Sequence, residues 1–144
     1  MHVLFDTNVL LDALLERQHV EEAYFLLDQV FEESIEGSAT PTVLTNTFYI
    51  GRSEVGRKSA TRFVRELLKD LEVLIVSRDM LRRALRAFDA FEDGAIGEAA
   101  ATADVDVICT RNQADFQPSA VPALSPKALI QALHDESNGL STFE

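Results

Sequence analysis

The chain has 144 residues, 47% hydrophobic and 26% charged, a balance that suits one globular domain with its own core and excludes a disordered chain. Cys109 is the only cysteine, which excludes an intramolecular disulfide and an all-cysteine zinc site and fits a reducing, cytoplasmic setting. The net charge of −11 argues against a nucleic-acid partner until its distribution along the chain is considered.

The opening MHVLFDTNVLLDALLERQ has no basic start, and Asp6 and Asp12 interrupt its apolar run, so no signal peptide is expected. No stretch reaches the roughly 18 apolar residues that a membrane span requires. Residues 2–5 form a short apolar run ending in Asp6 and predict a buried strand. Helices are expected over 9–16 and about 19–35. The second has Val20, Ala23, Tyr24, Leu27, Val30 and Phe31 at helical spacing, and Phe25 and Leu26 widen its apolar surface. Gly37-Ser38-Ala39 leaves room for a short strand. Thr40-Pro41 reads as an N-cap followed by proline, opening a helix to about Glu54 that Gly56 ends. A helix over about 57–70 would turn Ala60, Phe63, Val64, Leu67, Leu68 and Leu71 inward.

The β-branched run Val73-Leu74-Ile75-Val76 predicts a second main strand. Ser77 would cap a helix over 78–88, and Asp89 to Glu92 resembles a capping box opening a helix over 91–104. Val105 to Cys109 predicts a third strand. After a loop with Pro118 and Pro122, Ser125-Pro126 starts a last helix to about His134. The domain is expected over 1–136, with a polar tail over 137–144. Strands separated by helices imply parallel crossovers and an α/β fold with helices covering the sheet.

In such sheets ligands bind at the carboxyl ends of the strands, and three acidic groups fall there. Asp6 ends the first strand, Asn112 and Asp115 follow the third, and Glu92 and Asp93 open the helix leading into it. Carboxylates gathered in one crevice repel each other, and a divalent cation relieves that repulsion. Oxygen-only ligands favour Mg²⁺ or Mn²⁺ over Zn²⁺. Each group alone has a structural use as well: Asp6-Thr7-Asn8 as an N-cap, Glu92 and Asp93 as first-turn acids, Asp115 as a turn residue. Asp12 reads as a solvated or locally bonded helix residue. The joint occurrence, in order and on suitable elements, favours the metal site.

These residues carry a family resemblance. Asp6-Thr7-Asn8-Val9-Leu10-Leu11-Asp12 resembles the opening motif of PIN-domain nucleases, and Phe91-Glu92-Asp93-Gly94-Ala95-Ile96 resembles their internal acidic motif. Val107 to Phe116, with Thr110-Arg111-Asn112 and then Asp115-Phe116, resembles the later motif, and Leu124-Ser125-Pro126 the closing strand-to-helix junction. The resemblance implies a Rossmann-like, three-layer α/β/α PIN fold with a mainly parallel sheet of about five strands in the order 3-2-1-4-5. It also implies a metal-dependent endoribonuclease of the VapC toxin type, an RNA substrate, a small antitoxin partner and a homodimer. Many members carry Glu in the helix after the second strand, where Asn46 stands here, and an acid where Asn112 stands. A branch with Asn at both places and an Asp three residues later fits this chain.

On that reading Asp6, Asp93 and Asp115 hold one Mg²⁺ or Mn²⁺, and Asn46 joins them in the catalytic set as a neutral ligand or orienter. Thr7, Asn8, Glu92, Thr110 and Asn112 support the site or add a ligand. Arg111 has two uses open to it, phosphate contact or pairing with a site carboxylate. Ten of the thirteen Lys and Arg residues lie between Arg52 and Arg86 beside five acids, a local net of +5. Arg52, Arg57, Lys58 and Arg62, with Arg111, are candidates for the RNA backbone, although solvated helix faces explain the run equally simply. Two alternatives stand beside the nuclease. One is a PIN domain of weak activity that binds RNA or protein. The other is a phosphohydrolase of the haloacid dehalogenase type, which would require an Asp where Asn8 stands.

Overall fold

The computed structural model describes residues 1–139. Five strands form one sheet in the order β3-β2-β1-β4-β5, and all four pairings are parallel. The strands are β1 (His2–Phe5), β2 (Glu36–Ala39), β3 (Glu72–Val73), β4 (Val107–Cys109) and β5 (Ala123–Leu124). Seven helices connect and cover them: α1 (Thr7–Leu14), α2 (Val20–Phe31), α3 (Pro41–Val55), α4 (Arg57–Asp70), α5 (Arg78–Ala87), α6 (Phe91–Thr102) and α7 (Pro126–Ser137). This is the Rossmann-like arrangement and the strand order expected from the sequence.

β1 lies at the centre because three of its four residues are wholly buried: Val3, Leu4 and Phe5. Its neighbour β2 is built from small residues for a steric reason. A Cβ on Gly37 would lie 2.7 Å from both Leu71 and Val30, so only glycine lets those side chains close over the strand. The chain runs outward from β1 through β2 to β3, then returns to the other side of β1 as β4. The strand order therefore reverses beside β1, and in open parallel sheets ligands bind at the carboxyl ends of the strands flanking such a point, here β1 and β4.

Several sequence expectations change. Val73 to Val76 is not a main strand: only Glu72–Val73 pair, at the sheet edge, and Ile75 is 81% exposed. Among the described residues no strand lies beyond β3, so the run has no neighbour on its outer edge for its β-branched side chains to pack beside. Asp89 does not open a capping box. Ala90 is the N-cap of α6 and makes no side-chain cap bond. Leu68 points outward, because the face α4 buries is centred on Ala60 and Leu67. In α2 the buried stripe is Ala23, Leu26, Leu27 and Val30, which leaves Tyr24 and Phe31 largely exposed. Ser77 does cap α5, through Met80 N. Of the expected tail, Ser137 still belongs to α7, and positions 140–144 lie outside the described residues.

Candidate metal centre

Asp6 follows β1 and caps α1. Its backbone N–H donates to Cys109 O at 3.0 Å, extending the pairing of β1 with β4 by one residue. Its side chain is only 6% exposed and accepts three hydrogen bonds: from Thr7 N at 2.8 Å, Asn8 Nδ2 at 3.1 Å and Thr110 Oγ1 at 2.8 Å. Burial raises the Asp6 pKa, those three donors oppose the rise, and the charge on Asp115 adds to it.

Thr110 is wholly buried and ties the two strand ends together. Its hydroxyl donates to Asp6 and accepts from Asn112 N at 3.0 Å. Asn8 bridges the same gap, with Oδ1 accepting from Arg111 N at 3.2 Å. The loop after β4 is thus fastened to the start of α1 by side chains rather than by ladder bonds alone. Thr7, whose backbone N–H bonds Asp6, keeps its Oγ1 buried and without a hydrogen-bond partner among the described residues. An orphaned buried oxygen calls for a further partner, such as an ordered water or an ion.

Asp93 enters from the side, in the first turn of α6. Its pKa is pushed up to about 6, first by burial and then by the charges of Asp6, Asp115 and Glu92. Asp115 lies in a single 3₁₀ turn, Gln113–Phe116, and is exposed. Asp6, Asp93, Asp115 and Glu92 therefore share one electrostatic neighbourhood at the carboxyl edge of the sheet. Their side chains stand apart: among the described residues no three His, Cys, Asp or Glu side chains converge closely enough to chelate an ion directly. The donors are hard oxygens, their mutual repulsion is unrelieved, and Thr7 offers a neutral oxygen. That set fits a hydrated Mg²⁺ or Mn²⁺, which keeps several waters and needs few direct protein ligands.

The remaining expected residues fall as follows. Asn46, in α3, donates from Nδ2 to Glu92 Oε1 at 2.7 Å, so it fixes Glu92 against the helix opposite. Asn112 is exposed just before the 3₁₀ turn. Arg111 pairs with Asp12 through two contacts of 2.7 and 3.2 Å. Asp12 is 1% exposed, so it is not the solvated helix residue the sequence suggested, and its partner is 99 positions away. Arg52, Arg57, Lys58 and Arg62 sit on α3 and α4 with no ion-pair partner among the described residues. Arg62 borders a separate groove of about 380 Å³ between α2 and α4, lined by Leu14, Tyr24, Leu27, Phe31 and Phe63. A second apolar cleft, absent from the expectations above, opens beside Glu92 and is lined in part by Phe91. The available signal was an aromatic residue directly preceding two acids at a helix start.

The profile of a family described as PIN domain matches residues 2–114. No curated protein matches the sequence. Solved structures resemble it at low identity. VapBC2 from Rickettsia felis, bound to a DNA fragment from its promoter, shares 15% identity at a TM-score of 0.67, covering 87% of this chain and 98% of that one. A toxin–antitoxin complex from Klebsiella pneumoniae shares 22% at 0.64, covering 86% and 97%. VapC20 from Mycobacterium tuberculosis, a toxin that cleaves the sarcin–ricin loop, shares 14% at 0.62, covering 74% and 86%. At these identities the likeness speaks for the fold.

Proposed function

The chain belongs to the PIN-domain family, and from that premise we propose that it is a Mg²⁺- or Mn²⁺-dependent endoribonuclease, the toxin of a toxin–antitoxin pair. One observation carries the reading: at the carboxyl edge of the sheet, where this fold presents its ligands, the charges of Asp6, Asp115 and Glu92 add to the burial that raises the Asp93 pKa, and the charge of Asp115 adds to the rise at Asp6. Asp6, Asp93 and Asp115 would hold the ion, directly or through water, with Asn112 and Thr7 as neutral oxygens nearby. When bound, the ion supplies charge stabilisation at a scissile phosphate and acidifies a coordinated water.

The chain's own residues do the rest. Asp6 is held in one orientation by Thr7, Asn8 and Thr110, so little reorganisation is required when RNA arrives. Asp93, in the first turn of α6, is the carboxylate assigned to take a proton from the attacking water. Asn46 positions Glu92 without adding a fifth negative charge. Arg111 acts through Asp12 rather than on phosphate. Arg52, Arg57, Lys58 and Arg62 supply positive potential that steers the RNA backbone. The antitoxin reading draws on the likeness to toxin–antitoxin complexes, and the groove between α2 and α4, with Tyr24 and Phe31 at its surface, offers an apolar seat for a partner segment.

The test is Mn²⁺-stimulated cleavage of structured RNA by wild type, set against Asp93→Asn. Loss of cleavage in the variant is expected. Equal residual cleavage by both proteins would mean a contaminant and end the nuclease reading. The standoff of the acids favours one second reading, a PIN domain that binds RNA or protein without cutting. Titration calorimetry separates the two, because a pure binding module would take up no Mn²⁺, and Asp6→Ala would leave that unchanged.

A further inference from the structure

Beside the acidic centre lies a cleft of about 380 Å³, lined by Thr40, Pro41, Val76, Leu81, Phe91 and Glu92. Thr40 follows β2, and Val76 lies a few residues beyond β3. The cleft therefore continues along the same carboxyl edge of the sheet that carries Asp6 and Thr110, on the β2 and β3 side of them. Glu92 belongs to both places. It lines the cleft and also contributes to the field that raises the Asp93 pKa.

We propose that this cleft is a base subsite, which takes an unstacked nucleobase of the RNA next to the cleaved phosphate and prefers guanine. This rests on the ribonuclease reading and names what that site recognises. Phe91 leaves 45% of its surface exposed at the start of α6, where it lines the cleft. Single-stranded RNA is recognised by stacking splayed bases on such rings and by reading their polar edges. Pro41, Val76 and Leu81 provide apolar walls that exclude water from a base. The cleft is within the size range of small-ligand sites.

The polar edge sets the preference. Asn46 Nδ2 donates to Glu92 Oε1 and so fixes the carboxylate, leaving Oε2 and a second lone pair on Oε1 to accept from a ligand. A carboxylate held this way complements adjacent N–H donors. Guanine presents two, at N1 and N2. Uracil presents one N–H between two carbonyl oxygens, which the carboxylate would repel.

The experiment uses the full-length protein in Mg²⁺ buffer and follows NMR methyl signals of Leu81 and Ala95, which line the cleft, during titration with guanosine 5′-monophosphate and separately with uridine 5′-monophosphate. Saturable shifts are expected with the guanine nucleotide. Binding should weaken at least about 5-fold with the uracil nucleotide, and about 5- to 100-fold in Phe91→Ala, the span that loss of one stacking partner gives. Glu92→Gln should bring the two nucleotides to equal affinity while both still bind. Absent shifts at these methyls, or equal affinities for the two nucleotides in wild type, overturn the subsite. RNA cleavage by wild type in a parallel assay separates the two claims. Cleavage without guanine binding removes the subsite alone, whereas guanine binding without cleavage supports the subsite and removes the ribonuclease.

Discussion

Arg111 reaches back across 99 positions to hold Asp12, with Nε 2.7 Å from Oδ2 and a terminal guanidinium nitrogen 3.2 Å from Oδ1. Asp12 is almost fully buried in α1, while a third of the Arg111 side chain still meets solvent. The pair joins α1, which Asp6 caps, to the loop after β4, which carries Thr110 and leads to Asp115. It is therefore a positioning device for the carboxylates at both ends.

The unequal burial gives the two partners unequal value. Arg111→Ala strands a buried carboxylate, the costly way to break such a pair, and should lose about 3–4 kcal/mol. Asp12→Ala leaves a guanidinium that water already reaches, so its loss should be smaller, about 1–2 kcal/mol after solvent screening. Urea denaturation of both variants checks the order. Equal losses would mean that the pair contributes no more than its packing.

That pair also marks the limit of what the sequence discloses. β1 is legible because an apolar run ends abruptly in Asp6, and α3 because Thr40-Pro41 is a local start signal. Asp12 carries no mark of its partner, since a buried ion pair is made by tertiary contact and nothing in its neighbourhood encodes it. The run from Val73 to Val76 is misleading for a related reason. Its β-branched residues suit any pleated surface, but whether a strand is central or at the edge depends on what lies beside it, and beyond β3 there is no neighbour among the described residues. Asp6, Asp93 and Asp115, the acids proposed to hold the ion, could be picked out because strand ends, a helix start and their order along the chain are sequence properties. Their separation could not, because it depends on side-chain placement at the carboxyl edge of the sheet.

The Asp93 carboxyl links the centre to stability. Its pKa in the folded protein is about 6 against an ordinary 3.8, and that of Asp6 is raised in the same direction. The folded state thus holds protons that the unfolded chain has released, so stability falls as pH rises between about 4 and 6. Metal-free wild type should lose melting temperature from pH 4 to pH 7, relative to Asp93→Asn, which cannot ionise there. Mg²⁺ should restore more of the melting temperature at pH 7 than at pH 4, because only the ionised acids attract it. Thermal melts of both proteins at the two pH values, with and without Mg²⁺, decide the matter. Parallel curves for wild type and variant would show that Asp93 is not under the strain described.

A glycine next to Asp93 fixes where that acid stands. A Cβ on Gly94 would meet Ala84 Cβ at 2.7 Å, Phe88 Cβ at 3.0 Å and the Ala84 backbone at 3.1 Å, so α5 and α6 touch here with little more than the Ala84 methyl between them. Gly94→Ala gains helix propensity, about 1 kcal/mol, but it forces two backbones apart, at about 1–3 kcal/mol. The contact has no flexible side chain to yield, so the steric term should win, with a net loss of up to about 2 kcal/mol. Gly97→Ala serves as the control. Its Cβ would meet the far end of the Phe88 ring at 2.7 Å, and a ring can tilt away. That variant should lose less stability and leave Asp93 in place. Urea denaturation gives the stabilities. Mn²⁺ titration of the two folded variants reads the displacement of Asp93, which should weaken binding in Gly94→Ala more than in Gly97→Ala. Gly94→Ala with unchanged stability and unchanged Mn²⁺ affinity would show that α6 can shift without carrying the site with it, and the close contact between α5 and α6 would then have no bearing on the metal centre.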